Sequence, residues 1–150
     1  MRAVLQRVRK ASVTVNEEVV GQIERGYTLL LGVAADDSTE QVAWLVNKVV
    51  GLRLFANERD KLDLDIRQIG GSILVVPQFT LLADTQRGRR PSFGAAAEPN
   101  HAESIYTAVA AAFAEFIPVQ TGRFGADMQV HLVNDGPFTL VLEREPYQNS

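Results

Sequence analysis

Two short segments carry the residue types best suited to chemistry in this chain: Pro77-Gln78-Phe79-Thr80-Leu81 and Asn134-Asp135-Gly136-Pro137. The first sets an amide, an aromatic ring and a hydroxyl directly after the apolar run Ile73-Leu74-Val75-Val76. At the end of a strand, backbone N–H groups and side chains can both face a ligand. The second joins a glycine, which tolerates unusual dihedrals, to a proline, whose preceding peptide bond is the one that adopts cis at modest cost. Gly136-Pro137 can therefore present its carbonyls in a fixed, unusual direction and act by shape. On local sequence alone the plainer roles are favoured: Gln78 and Thr80 satisfying backbone groups at a strand end, and Gly136-Pro137 making a hairpin turn.

A threonine nucleophile needs a base within hydrogen-bond reach, usually a His, a Lys or the amino terminus. None is signalled beside Thr80. His131 falls on the polar side of an alternating strand and His101 in the first turn of a helix, and both read as exposed residues. A Ser-His-Asp triad is unsupported. Asp84, Asp127 and Asp135 show no pairing that demands acid–base work and suit turns or caps. The alternative is catalysis by position, in which the N–H groups of Phe79 and Thr80 stabilise the charge that develops when an ester carbonyl becomes tetrahedral.

A chain of 150 residues fits one domain with a real core. With 46% hydrophobic and 22% charged residues its balance is that of an ordinary globular protein. The start, Met1-Arg2-Ala3-Val4-Leu5-Gln6-Arg7, lacks an uninterrupted apolar signal region, and a cytoplasmic location is expected. The absence of cysteine removes disulfides, thiolate metal sites and a Cys nucleophile, and two separated histidines leave little for a metal. The net charge of −3 does not advertise nucleic acid. Local basic clusters do exist, at Arg2, Arg7, Arg9 and Lys10 and at Arg87, Arg89 and Arg90.

Alternating apolar residues predict one or two strands over Arg2–Val15, then strands over Val19–Ile23 and Tyr27–Val33. Ser38 with Gln41 makes a capping box ahead of Val42, Leu45, Val46, Val49 and Val50 at helical spacing. Leu52–Phe55 and Leu62–Ile66 read as extended, Ser72–Val76 as a strand covered on both faces, and 83–99 as a long loop suited to substrate contact. Asn100 with Glu103 predicts the cap of a second helix whose stripe is Ile105, Tyr106, Val109, Ala112, Phe113 and Phe116, stopped by Pro118. Met128–Leu132 and Phe138–Leu142 predict two last strands on either side of the Gly-Pro interruption. The fold class expected is α+β: a mainly antiparallel, strongly curved sheet or open barrel with two principal helices.

Taken together, these segments resemble the D-aminoacyl-tRNA deacylases from Met1-Arg2 through Glu143. The markers are Gln6-Arg7-Val8, Gly70-Gly71 before Ile73-Leu74-Val75-Val76, Gln78-Phe79-Thr80-Leu81, Arg90-Pro91-Ser92-Phe93, the run from Thr121 to Met128, and Asn134-Asp135-Gly136-Pro137. The resemblance implies a single deacylase domain over 1–150, with 144–150 a flexible tail. It implies a homodimeric hydrolase that cleaves the ester of D-aminoacyl-tRNA, and of glycyl-tRNA, without a cofactor or metal. It gives Phe79 and Thr80 backbone contacts to the substrate carbonyl and Gln78 a place in the catalytic corner. Thr80 is then either the nucleophile or secondary to the 2′-hydroxyl of the tRNA, and the lack of a base nearby favours the second. Gly136-Pro137, expected in cis, would reach into the partner's site and exclude L side chains, Arg7 would hold that motif, and Met128 would line the pocket. Arg87, Arg89 and Arg90 gain a role in contacting tRNA phosphates without reading sequence. Pro77 stands where the family usually has Ser, losing a hydroxyl and an N–H, and Phe138 stands where Val is common. The rival readings are an RNA-binding module without turnover and a general esterase acting through Thr80.

Overall fold

The computed structural model describes residues 1–145, so most of the expected tail lies outside the described residues. Strands β1 (Arg2–Val15), β2 (Glu18–Ile23) and β3 (Gly26–Gly32) lead to helix α1 (Thr39–Gly51). A small hairpin of β4 (Phe55–Ala56) and β5 (Leu62–Leu64) precedes β6 (Ser72–Pro77), a 3₁₀ turn (Phe79–Leu82), helix α2 (Pro99–Ala114), β7 (Val119–Thr121) and β8 (Gln129–Glu143). The main sheet runs β2-β1-β3-β6-β7, with β8 on the other side of β1. Long β1 is thus a spine: β8 follows one edge, while β3 takes Arg2–Val8 and β2 takes Ala11–Val15 on the other.

The sheet curls until its ends nearly meet. A side chain on Gly21 of β2 would place its Cβ 2.5 Å from the Thr121 carbonyl oxygen of β7, so the absence of one permits this approach. Inside the curl lie Val8, Ala11, Val13, Ile23, Leu74 and Val76. The opposite face, with Leu5, Tyr27, Leu29, Leu31, Ile73 and Val75, packs on Leu45, Val49, Val109 and Phe113 of the two helices. Ile73–Val76 is buried throughout, as an apolar run covered on both faces requires.

The α+β class with two helices and a barrel-like sheet agrees with the sequence expectation, but the sheet is mixed. β3 pairs with β6, and β6 with β7, in parallel. Each parallel pair is joined by a long crossover that carries a helix, which parallel pairing demands. Antiparallel pairing, as the short connections led one to expect, holds around β1 and in the separate β4–β5 hairpin. Helix α1 has the expected capping box: Gln41 Oε1 accepts from the Ser38 N–H at 2.8 Å, and Ser38 Oγ accepts from the Glu40 N–H at 3.3 Å. The start of α2 differs from expectation. Glu98 occupies the N-cap without a side-chain cap bond, and Pro99 opens the helix, because its fixed φ suits the first helical position where no N–H is required. The helix also ends at Ala114, leaving Phe116 45% exposed instead of extending the buried stripe.

The two strands expected around Gly136-Pro137 are one strand, β8. Gln6 of β1 faces Thr139 and Val8 faces Asn134, so Asp135, Gly136, Pro137 and Phe138 loop out opposite Arg7 alone. This is a projecting excursion from a paired strand and not a hairpin turn.

Candidate active site

A cavity of about 500 Å³ opens at the end of β6. Its floor is Val76, Pro77, Gln78 and Phe79, with Leu31 and Val33 from β3 and the residue beyond it. Helix α2 contributes Ala102 and Tyr106, the end of the long loop contributes Ala96 and Ala97, and the β7–β8 connection contributes Phe124 to Met128. The walls are mostly apolar, the composition expected of a small-ligand pocket. Among the residues lining it, Tyr106 and Asp127 alone carry ionisable side chains. Burial pushes the Tyr106 phenol up to about 12, against the lowering effect of hydrogen bonds from Thr121 and Gly122. Its hydroxyl donates to the Val75 carbonyl at 2.8 Å, tying α2 to β6 beneath the cavity.

The corner at Gln78 is built by an abrupt change of backbone. The Gln78 N–H still donates to Leu31 O at 2.8 Å, extending the β3–β6 pairing, and the chain then winds into the 3₁₀ turn. Leu81 is the first residue whose N–H reaches back, to Gln78 O at 3.2 Å. The N–H groups of Phe79 and Thr80 precede it and have no partner within the turn, as at any helix start. The Gln78 side-chain N–H donates to Thr80 Oγ1. Phe79 is 59% exposed and meets the half-exposed Phe93 edge-on, with centroids 5.1 Å apart. Met128 is fixed from behind: its sulfur accepts the Arg123 N–H at 3.4 Å, and a Cβ on Gly122 would lie 2.7 Å from it.

The structure therefore brings Pro77, Gln78, Phe79 and Met128 together around one cavity, with Thr80 following in the same turn. It does not bring Gly136-Pro137 there within one chain. That motif, with a cis peptide bond, sits exposed on the β8 excursion. Arg7 braces it: Nε donates to Asp135 O at 3.1 Å, Nη1 donates to Leu54 O at 2.6 Å, and the guanidinium stacks 4.7 Å from the centre of the Phe138 ring. Arg9 also approaches Asp135, at 3.4 Å. Arg87, Arg89 and Arg90 lie exposed on a loop pinched by paired backbone bonds between Asp84 and Ser92, and among the described residues they enter no ion pair. His131 does not line the cavity, and neither does His101, whose Nε2 is 2.8 Å from Asp37 O.

Sequence reasoning missed Tyr106, Phe124 and Asp127 as residues lining the cavity. Tyr106 carried a signal, being the polar-tipped member of an otherwise aliphatic and Phe stripe, and buried tyrosines seek partners.

An apolar cavity beside a 3₁₀ turn whose first N–H groups have no partner within the turn, on a nearly closed α+β sheet, is a frame for binding a small polar group. Residues 4–143 match the model of the family described as D-Tyr-tRNA(Tyr) deacylase, and the chain belongs to that family. It is 54% identical over 145 residues to the D-aminoacyl-tRNA deacylase of an Exiguobacterium species (strain ATCC BAA-1283 / AT1b), covering 96% of this chain and 99% of that one. It is 49% identical over 143 residues to the D-aminoacyl-tRNA deacylase of a Sulfurihydrogenibium species (strain YO3AOP1), covering 95% and 97%. A solved structure, the c-Myc DNA Unwinding Element Binding Protein, superposes with a TM-score of 0.91 at 37% identity, covering 97% of this chain and all of that one. The protein is accordingly a hydrolase of D-aminoacyl-tRNA, acting in translation quality control.

Proposed function

We propose that the enzyme works as a homodimer in which each subunit's Gly136-Pro137 faces the partner's cavity and opposes L side chains. The observation that carries this reading is the separation of parts. The cavity, beside the free N–H groups of the 3₁₀ turn, is apart from the braced loop on which Gly136-Pro137 is exposed. The surface around that loop suits a second copy. Among the described residues β8 pairs only with β1, leaving its outer edge free. Val130, Val133 and Val141 (67% exposed) stand along the same strand, and an unpaired strand edge with exposed valines favours association.

In this mechanism the aminoacyl ester enters the cavity with its carbonyl oxygen accepting from the N–H groups of Phe79 and Thr80. Water adds to the carbonyl carbon, the charge that develops on oxygen is held by those amides, and the C–O bond to the ribose breaks as the leaving oxygen takes a proton. Gln78 shapes the corner through Thr80, and Met128 lines the pocket. No histidine or lysine lines the cavity, burial keeps the proton on Tyr106, and the one lining carboxylate, Asp127 on the β7–β8 connection, makes no hydrogen bond to Thr80, whose hydroxyl meets Gln78. This favours assistance from the adjacent 2′-hydroxyl of the substrate over a Thr80 nucleophile. Glycyl-tRNA is a substrate on the same logic, because glycine offers no side chain for the loop to reject. Arg87, Arg89 and Arg90 contact phosphates near the acceptor end, and the enzyme acts in the cytoplasm on the tRNA pool there. No helix of the described residues is long and apolar enough to cross a membrane.

The test is release of amino acid from matched D-Tyr-tRNA, L-Tyr-tRNA and Gly-tRNA, with sedimentation to give the mass in solution. Cleavage of the D and Gly substrates by a dimer, with the L substrate spared, is expected. Equal cleavage of D and L substrates, or full discrimination by a monomer, would overturn the cross-subunit reading.

A further inference from the structure

The β8 excursion is closed at its base by a side-chain clasp separate from the Arg7 brace. Asn134 is the last paired residue before it and Thr139 the first after it. Asn134 Oδ1 accepts from the Phe138 N–H at 2.8 Å, and Asn134 Nδ2 donates to Thr139 Oγ1 at 3.0 Å. Gln6 Nε2, on the facing strand, donates to the same hydroxyl oxygen at 3.3 Å, so both acceptor positions of Thr139 are taken. A carboxamide is the short side chain that accepts on one atom and donates on the other, which an aspartate at this position could not do. Arg7 holds the loop from within, at Asp135 O and over the Phe138 ring. The clasp fixes the spacing of its two feet.

We infer that Asn134 and Thr139 are positioning residues for stereochemical selection, setting the direction in which Gly136-Pro137 points by clasping the feet of the loop that carries it. The inference rests on the reading that Gly136-Pro137 opposes L side chains. A selecting element made of main chain has no side-chain rotamer to adjust, so its discrimination depends on where its backbone is held. Loosening one foot lets the loop yield to an L substituent while the cavity at the end of β6, on other elements, is untouched.

The experiment measures the ratio of kcat/KM for D-Tyr-tRNA to that for L-Tyr-tRNA in the full-length protein, together with Tm. Asn134→Ala and Thr139→Val are each expected to lower that ratio about fivefold, the scale of one neutral hydrogen bond. Thr139→Ser, which keeps the hydroxyl, stays within about twofold of the parent on the same scale. The Asn134→Ala/Thr139→Val double variant is expected to lose less than the two losses combined, because both remove one interaction. If Asn134→Ala fails to fold, the exposed Thr139 pair of variants decides alone. A parental ratio in Thr139→Val and Asn134→Ala, with a lowered ratio in Gly136→Ala, would overturn the clasp and leave the selecting loop standing. A parental ratio in Gly136→Ala as well would overturn both.

Discussion

Gln78 donates its side-chain N–H to the Thr80 hydroxyl oxygen, two residues further along the same turn. An amide nitrogen donor cannot take up a proton, so this contact orients Thr80 without activating it as a nucleophile. Thr80→Ala keeps the backbone N–H and removes only the hydroxyl. It is expected to retain kcat/KM on D-Tyr-tRNA to within about tenfold, the effect of losing an orienting hydrogen bond. A fall of about a thousandfold or more, the scale expected for removal of a nucleophile, would assign the attack to Thr80 and restore the esterase reading.

Gly136 has φ +135°, a region that L side chains rarely adopt, and a Cβ there would lie 3.1 Å from Arg7 Nη2. Gly136→Ala therefore strains the backbone and presses on the residue that braces the loop. L-Tyr-tRNA is expected to become a substrate, with its kcat/KM rising about tenfold, equivalent to roughly 1.4 kcal/mol of lost discrimination. Single-turnover assays on both stereoisomers check this. Unchanged rejection of the L substrate would remove the loop from selection.

Much of this was legible in the residues, where local chemistry decides local structure. Ser38 and Gln41 mark the start of α1 because their side chains complete a capping box whatever the surroundings. The run Ile73–Val76 is buried on both faces because nothing in it tolerates water. What stayed hidden depends on approaches between distant segments. The three-residue β7 has no pattern of its own and exists as a partner for β6. The parallel pairings need α1 and α2 to cross back over the sheet, which periodicity alone does not show. Tyr106 and Phe113 share one helical stripe, yet one reaches the cavity wall and the other is wholly in the core. Asn134 is recognisable as part of a motif, but its clasp appears only once the loop has folded back upon it.

The exposed loop of Arg87, Arg89 and Arg90 predicts a salt-sensitive and sequence-tolerant affinity for tRNA. Phosphate contacts release counterions, and each is worth about 0.7 to 0.9 in the slope of log affinity against log salt. Replacing all three arginines with Gln is expected to weaken binding similarly for several tRNAs and to flatten that slope by about 2 to 3. Filter binding across a salt series measures it. A loss confined to one tRNA, or an unchanged slope, would place the contact surface elsewhere.

Tyr106 links stability to the cavity through its proton. Burial raises its phenol to about 12, and burial also pushes the core residue Tyr27 above the usual tyrosine range. Between about pH 10, where an unfolded tyrosine ionises, and the higher folded values, the unfolded chain has lost protons that the folded chain retains. Stability is therefore complete below pH 10 and falls as pH rises, by at most about 1.4 kcal/mol per pH unit for each such group. Tyr106→Phe abolishes its share of that slope. At neutral pH it instead removes the 2.8 Å hydrogen bond to the Val75 carbonyl, which keeps the Gly122 N–H at 3.0 Å, at a cost of about 0.5 to 1.5 kcal/mol. Urea unfolding of the parent and Tyr106→Phe at pH 7 and above pH 10 is expected to show the variant less stable at pH 7, with the gap narrowing in base. A gap that does not change with pH would mean that the phenol ionises alike in both states.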